Sequence, residues 1–224
     1  MSKYWKIPPD HNANFVANME DVLEVYSRPY DEDYPVVCMD ESSVQLIGEV
    51  QKPIPAKPGH PNLQDDEYIR YGVASIFIEV EPLGGKREVK ITDRRTRVDW
   101  ACFIREMLED RYPQAKKVIL VMDNLNTHNI SSLYTAFEPE VAKELANRLE
   151  IHYTPKHGSW LNIAEIELSV LKGQCLNRRI PKMEQLKSEV KAWNINRNNN
   201  QAKVDWQFTN DDARIRLKRL YPIL

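Results

Sequence analysis

No run in this sequence is apolar for long enough to cross a bilayer, which takes about 20 consecutive apolar residues as a helix. The opening residues, MSKYWKIPPDHN, lack the apolar core of a secretory leader. The three cysteines, Cys38, Cys102 and Cys175, are scattered, odd in number and form no CxxC pair. Neither a disulfide framework nor a zinc site is therefore indicated. Internal repeats and low-complexity segments are missing too, apart from the short run Asn198-Asn199-Asn200. These absences point to a cytosolic globular chain, nucleoid-associated if the source is a bacterium. Its 224 residues suit one α/β domain with appendages, or two small domains at most.

An excess of basic charge is also lacking. The net charge of -2 argues against a simple nucleic-acid binder. The distribution says more than the sum. Residues 168–224 hold 12 Lys and Arg against 5 Asp and Glu, so the acidic excess lies in the rest of the chain. A basic C-terminal quarter beside an acidic body is compatible with a metal-binding acidic centre flanked by a DNA-gripping surface. It is equally what a pair of solvated basic helices would give.

The hydrophobic pattern predicts the elements. Residues 12–27 carry Phe15, Met19, Val22, Leu23 and Tyr26 at helical spacing, closed by Pro29. YPVVCMDES reads as a buried strand ending in acids. Residues 48–67, with four prolines, read as a loop. GVASIFIEVEP and KREVKITD read as a hairpin around a Leu-Gly-Gly turn. Residues 96–112 are helical, KVILVMDN is a second apolar strand, and residues 131–149 are helical with a break or restart at Pro139. LEIHYTP is a further core strand. Helices follow over 161–175, 183–196 and 211–221, the last with cap candidates at Thr209, Asn210 and Asp211. A hairpin followed by strands alternating with helices predicts a mixed five-stranded sheet with helices on both faces. That order matches the ribonuclease-H-like α/β fold. Three parts are expected: a helical lead-in over 1–30, the α/β domain over 31–180 and a basic helical extension over 181–224.

Asp40 and Asp123 each end a strand expected to be buried on both faces. Ligand sites in open α/β sheets lie beyond the carboxyl ends of strands. A carboxylate there is costly unless it is paired, and a divalent cation with its preference for oxygen ligands is one solution. The plain alternative is that each Asp caps the segment after it. A third acid would come from a helix beside those strands, and GSWLNIAEIELSVLKG offers Glu165 and Glu167. They stand about 200° apart around a helix and cannot both face the sheet. Apolar residues lie on both faces, so periodicity leaves the choice open.

VVCMDES, VILVMDNLNTH and HYTPKHGSWLNIAEIELSVLKG together resemble the DDE transposases of the mariner-like superfamily, in particular the bacterial insertion-sequence-630 family. The likeness covers nearly the whole chain. It implies that Asp40, Asp123 and Glu165 are catalytic and hold two divalent ions, Mg²⁺ with Mn²⁺ as a substitute. The family pattern selects Glu165 through Leu161, Asn162 and, seven positions on, Lys172. The sequence departs from it at Ile163, where proline is common, and at Leu168, where tryptophan is common. The interval of 41 residues between Asp123 and Glu165 is also longer than in many members, an excess assigned to FEPEVAKELANRL.

The implied activity is metal-dependent cleavage of DNA at transposon ends and strand transfer into target DNA at a TA dinucleotide. Two ions about 3.5–4 Å apart suit both steps, one activating the attacking oxygen and one stabilising the leaving oxygen. Asn124, Asn126 and His128 are implied to orient Asp123 or touch the scissile phosphate, though they also read as a turn and helix start. Lys156, His157, Ser159, Lys172, Arg178 and Arg179 are candidate DNA contacts. Trp160 is expected in the core rather than as a base-stacking platform. The implied partners are double-stranded DNA and a second copy of the chain. With Asp40 so near Met1, a helix-turn-helix polypeptide supplied separately or by an upstream frame is expected too. A nuclease without strand transfer and a decayed, non-catalytic DNA-binding module are the competing readings.

Overall fold

A computed structural model describes residues 12–125 and 127–222. The β-branched and aromatic runs form one sheet of five strands: β1 (Val36–Glu49), β2 (Tyr68–Glu81), β3 (Lys86–Thr92), β4 (Val118–Met122) and β5 (Leu149–Tyr153), in the order β3-β2-β1-β4-β5. β1, β2 and β3 pair antiparallel, whereas β4 pairs parallel with both β1 and β5. Parallel neighbours need a crossover, and helices supply it. α2 (Arg97–Glu106), continued by a π-helical turn over Met107–Arg111, lies between β3 and β4. α3 (Ile130–Ala136) and α4 (Pro139–Asn147) lie between β4 and β5. α1 (Ala13–Ser27) precedes the sheet; α5 (Ile163–Leu171), α6 (Met183–Asn199) and α7 (Asn210–Arg216) follow it.

The strict two-residue alternation of strand side chains divides the interior into two cores. Val37 and Met39 of β1, with Leu120 and Met122 of β4, enter the core beneath α2, α3 and α4. Cys38 and Val121 enter the other core, which α1, α5 and α6 cover with Met19, Leu23, Ile163, Leu168, Leu186 and Val190. The acidic body and the basic C-terminal helices thus share one core. No helix among the described residues is long and apolar enough to cross a membrane.

The structure corrects the expected boundaries at several points. β1 does not stop at the acids after Met39 but runs on to Glu49, because β2 pairs with it from Cys38 to Glu49. β2 starts at Tyr68, ahead of the expected Gly72, which has a φ of +134° beside a register shift at Leu46 and Ile47. Only a residue without Cβ takes that backbone conformation readily. The restart expected at Pro139 is present: it opens α4 at its first turn, where its missing N–H is no loss. The segment expected as one helix over 161–175 is a 3₁₀ turn (Ser159–Leu161), α5, and a π-helical turn (Lys172–Leu176).

α5 starts where it does because of Asn162. Its Oδ1 accepts from the Ala164 amide at 3.1 Å, capping the helix, and its Nδ2 donates to the Met39 carbonyl at 2.9 Å. One buried side chain therefore ties the first turn of α5 to the β1 residue before Asp40. Replacing Asn162 with Ala removes both bonds and leaves buried groups unpaired. The expected loss is about 2 kcal/mol, measured as the free energy of urea unfolding.

Candidate active site

The β1–β4 register sets the first two acids side by side. Val36 pairs with Ile119, Val37 with Leu120 and Cys38 with Val121, a constant offset of 83 positions. Asp40 and Asp123 are separated by the same 83 positions. They are the next same-face pair beyond Cys38 and Val121, on strands about 4.8 Å apart. β4 ends at Met122, so the sheet opens at this point and leaves the two carboxylates beside a cavity.

Glu165, in the first turn of α5, lines the same cavity of about 750 Å³. Thr154, Lys156, His157 and Ser159 also line it, with α1 residues such as Asn14 and Asn18. Glu165 is exposed, whereas Glu167, two residues on, is 3% exposed and has a different occupation. Arg197 of α6 grips both Glu167 oxygens, at 2.7 and 3.0 Å, and Arg87 of β3 approaches to 3.1 Å. Arg87 is itself held by the carbonyls of Arg197 and Ala202. The two glutamates left open by periodicity are thus separated by tertiary structure: one faces the cavity, the other neutralises the buried guanidinium of Arg87 and the partly buried one of Arg197.

A family model described as DDE superfamily endonuclease matches residues 35–187, more than half of the chain. The chain belongs to the DDE superfamily endonucleases. Among solved structures it is similar to the Mos1 mariner paired-end complex with Mn, at 17% identity and a TM-score of 0.58, covering 90% of this chain and 61% of that one. It is similar also to the Mos1 transposase paired-end complex with left transposon end (17%, TM-score 0.56, 87% and 58%). The Mos1 strand transfer complex is a third (16%, TM-score 0.57, 87% and 58%). At such identities the likeness is one of fold, and the mixed five-stranded sheet flanked by helices is the ribonuclease-H-like fold of the Mos1 catalytic domain. This chain spans about three fifths of the length of the Mos1 chains. No curated protein sequence matches it.

In this DDE endonuclease the acids sense one another. Burial pushes the Asp40 carboxyl up to about 7; the Glu41 amide, which donates to it at 2.7 Å, works the other way, and the charges of Asp123 and Glu165 add to the rise. Asp123 accepts from His128 Nδ1 at 2.6 Å. His128 is fully buried, stacks on Trp100 at 6.0 Å, and brings Nε2 to 3.4 Å from Glu41. Burial alone would lower its pKa, but the carboxylates of Asp123 and Glu41 outweigh it and raise the ring to about 9. At neutral pH it is therefore a cation that orients Asp123 from behind.

DDE-type endonucleases use divalent metals, and the donor set here fits one in chemistry: all oxygen, hard and anionic. A buried carboxyl whose pKa is raised for want of a counter-charge is what a cation would relieve. Among the described residues, however, no three His, Cys, Asp or Glu side chains stand close enough to hold an ion as they are. Asp123 is turned toward His128, so holding a metal requires that side chain or its neighbours to rotate.

The other sequence-based candidates divide. Asn124 lines the large cavity; Asn126 lies outside the described residues. Lys156, His157 and Ser159 reach the cavity from a turn that bonds Gly158 N to Pro155 O at 2.8 Å. A Cβ on Gly158 would collide with the Pro155 ring, so glycine is required there. His157 takes a φ of +65° in the same turn. Lys172 lines a second cavity of about 470 Å³ that shares Asp40, Asp123 and Glu165. Arg178 and Arg179 line neither cavity. Arg178 pairs with Glu189, and Arg179 pins the 50–67 loop through Glu49 and the carbonyls of Asp65 and Glu67. Trp160 packs with Trp206 and Phe208 against the α1–α5 core. Sequence reading missed Glu41 and Arg87, whose partners lie far away in the chain.

Two outcomes follow for stability. Glu167→Gln leaves two arginines without a counter-charge and should cost roughly 3–5 kcal/mol, whereas Glu165→Gln should be close to neutral by the same denaturant titration. In the metal-free protein the folded state holds the Asp40 proton more tightly than the unfolded chain does. Its stability is therefore greatest below the ordinary Asp pKa and falls as pH rises toward about 7. Asp40→Asn abolishes that fall, so the variant should exceed the wild type by about 4 kcal/mol near pH 8 and match it near pH 4.

Proposed function

We propose that this chain is the catalytic part of a cut-and-paste DNA transposase of the mariner-like superfamily, insertion-sequence-630 type. It cleaves transposon ends and joins them to target DNA with Asp40, Asp123 and Glu165 as metal ligands. The observation that carries the reading is the shared offset of 83, which makes Asp40 and Asp123 neighbours at the open end of a parallel strand pair, with Glu165 on the same cavity. The Mos1 complexes of like fold include a paired-end complex with the left transposon end and a strand transfer complex.

Bound Mg²⁺ or Mn²⁺ ions would supply Lewis-acid activation of the attacking oxygen and charge stabilisation of the leaving one. The chain's own residues do the rest. Asp40 presents oxygen donors from a rigid strand, Asp123 from the loop just past β4, and Glu165 from a capped helix. His128 holds Asp123 in place through Nδ1. Lys156, His157 and Ser159 donate to phosphate oxygens of the strand lying in the large cavity, and Asn124 adds an amide there. The working unit is a dimer of this chain on double-stranded DNA, one copy for each transposon end.

The test is nicking of supercoiled plasmid with Mn²⁺ or Mg²⁺. Asp40→Asn, Asp123→Asn and Glu165→Gln should each lower the rate by at least about a hundredfold, as removal of a charge-stabilising group does. Activity that survives in Glu165→Gln, or that persists in a chelator, overturns the assignment.

A further inference from the structure

The second cavity shares Asp40, Asp123 and Glu165 with the first but opens on another side of them, toward Glu41, Arg95 and Lys172. A DNA strand laid over three carboxylates is repelled by them, and its flanking phosphates need cations on both sides of the point of attack. Lys156, with the His157 ring beside it, serves one side. On the other stands the turn between β3 and α2, Arg94-Arg95-Thr96-Arg97, whose three arginines are exposed. Arg95 lines the second cavity and touches one carboxylate, Glu41, at 3.5 Å, while half of its side chain remains open to solvent. Arg94, Arg97 and Lys172 have no ion-pair partner among the described residues.

This turn is held rigid. The Thr92 hydroxyl donates to the Arg94 carbonyl at 2.5 Å, and Thr96 and Asp99 form a reciprocal capping box at the start of α2. Arg95 thus stands between two fixed points beside the acids. Guanidinium groups so placed suit phosphate, which their planar forks bind through two hydrogen bonds.

We propose that the β3–α2 turn, through Arg95 with Arg94 and Arg97 beside it, is a second grip on the phosphodiester backbone of DNA, across the three acids from Lys156 and His157. The inference rests on the reading of those acids as the centre over which DNA lies. Together with Lys172 the turn completes a rim of cations around the second cavity, so that the strand is held on both sides of the scissile phosphate.

The experiment is fluorescence-anisotropy binding of a short duplex of arbitrary sequence, without metal, across a series of salt concentrations. Every phosphate that a variant no longer neutralises should reduce the slope of log K against log salt by about 0.9. Arg95→Ala should lower the slope by about one such step, and Arg94→Ala/Arg95→Ala/Arg97→Ala by two to three, with affinity down roughly tenfold or more. Arg216→Ala on α7 serves as the control and should leave the slope unchanged. Circular dichroism and the melting temperature check that α2 still forms. An unchanged slope in the triple variant, or no duplex binding by the wild type, overturns the proposal. Plasmid nicking with Mn²⁺ by the wild type and Glu165→Gln is read separately. Nicking that needs Glu165 alongside an unchanged slope sinks the grip alone, whereas a reduced slope with no nicking sinks the catalytic reading and leaves the grip.

Discussion

Two carboxylates on adjacent parallel strands, on one face and in register, repel each other, and the rest of the site is arranged around that repulsion. Asp40 is 8% exposed and Asp123 is its lateral neighbour. A chain selected for stability alone would avoid such a pair. Burial is the main cause of the raised pKa of Asp40, the charges of Asp123 and Glu165 add to it, and the imidazolium of His128 behind Asp123 is a partial answer. The remaining unfavourable charge is a cost that a bound cation would remove.

The sheet geometry makes this arrangement rigid. β2 flanks β1 through Asp40 and beyond, so the strand cannot bend away from the charge. β4 stops one residue before Asp123, which lets that side chain turn between His128 and the cavity. One acid is thus fixed by its strand and the other adjustable by its loop. The third is fixed by a helix whose placement depends on two separate anchors. Asn162 sews the first turn of α5 to β1, and Glu167 locks the next turn to Arg87 and Arg197. With both anchors in place, α5 cannot rotate without breaking a cap or stranding buried charge, and Glu165 is left facing the cavity.

The distribution of cations follows the same logic. Of the basic C-terminal quarter, Arg178, Arg179, Arg197 and Arg214 are in ion pairs that tie elements together, leaving Lys172 as the member that reaches the acids. The cations beside the acidic centre come instead from short turns: Lys156 after β5, and Arg95 before α2. Turns at the carboxyl ends of strands are where a sheet of this kind exposes its backbone to a ligand, so that is where charge can serve recognition instead of stability.

Five strands, most helices and the pair Asp40–Asp123 are determined by the sequence alone. Apolar runs of β-branched residues specify buried strands by local pattern, and an acid closing such a run has few structural reasons to be there. The length of β1 past Asp40 was not legible, because it depends on pairing with β2 across a proline-rich loop. The choice between Glu165 and Glu167 was not legible from periodicity either, since both faces of α5 carry apolar residues. Arg87 and Arg197, 80 and 30 positions away from Glu167, decided it by needing a buried counter-charge. The fates of Arg178 and Arg179 were set in the same way, by carboxylates and carbonyls that only folding brings near. Local pattern determines where a side chain sits on its own element; which charges meet across elements is decided only when those elements pack, because burial makes an unpaired charge too costly to leave.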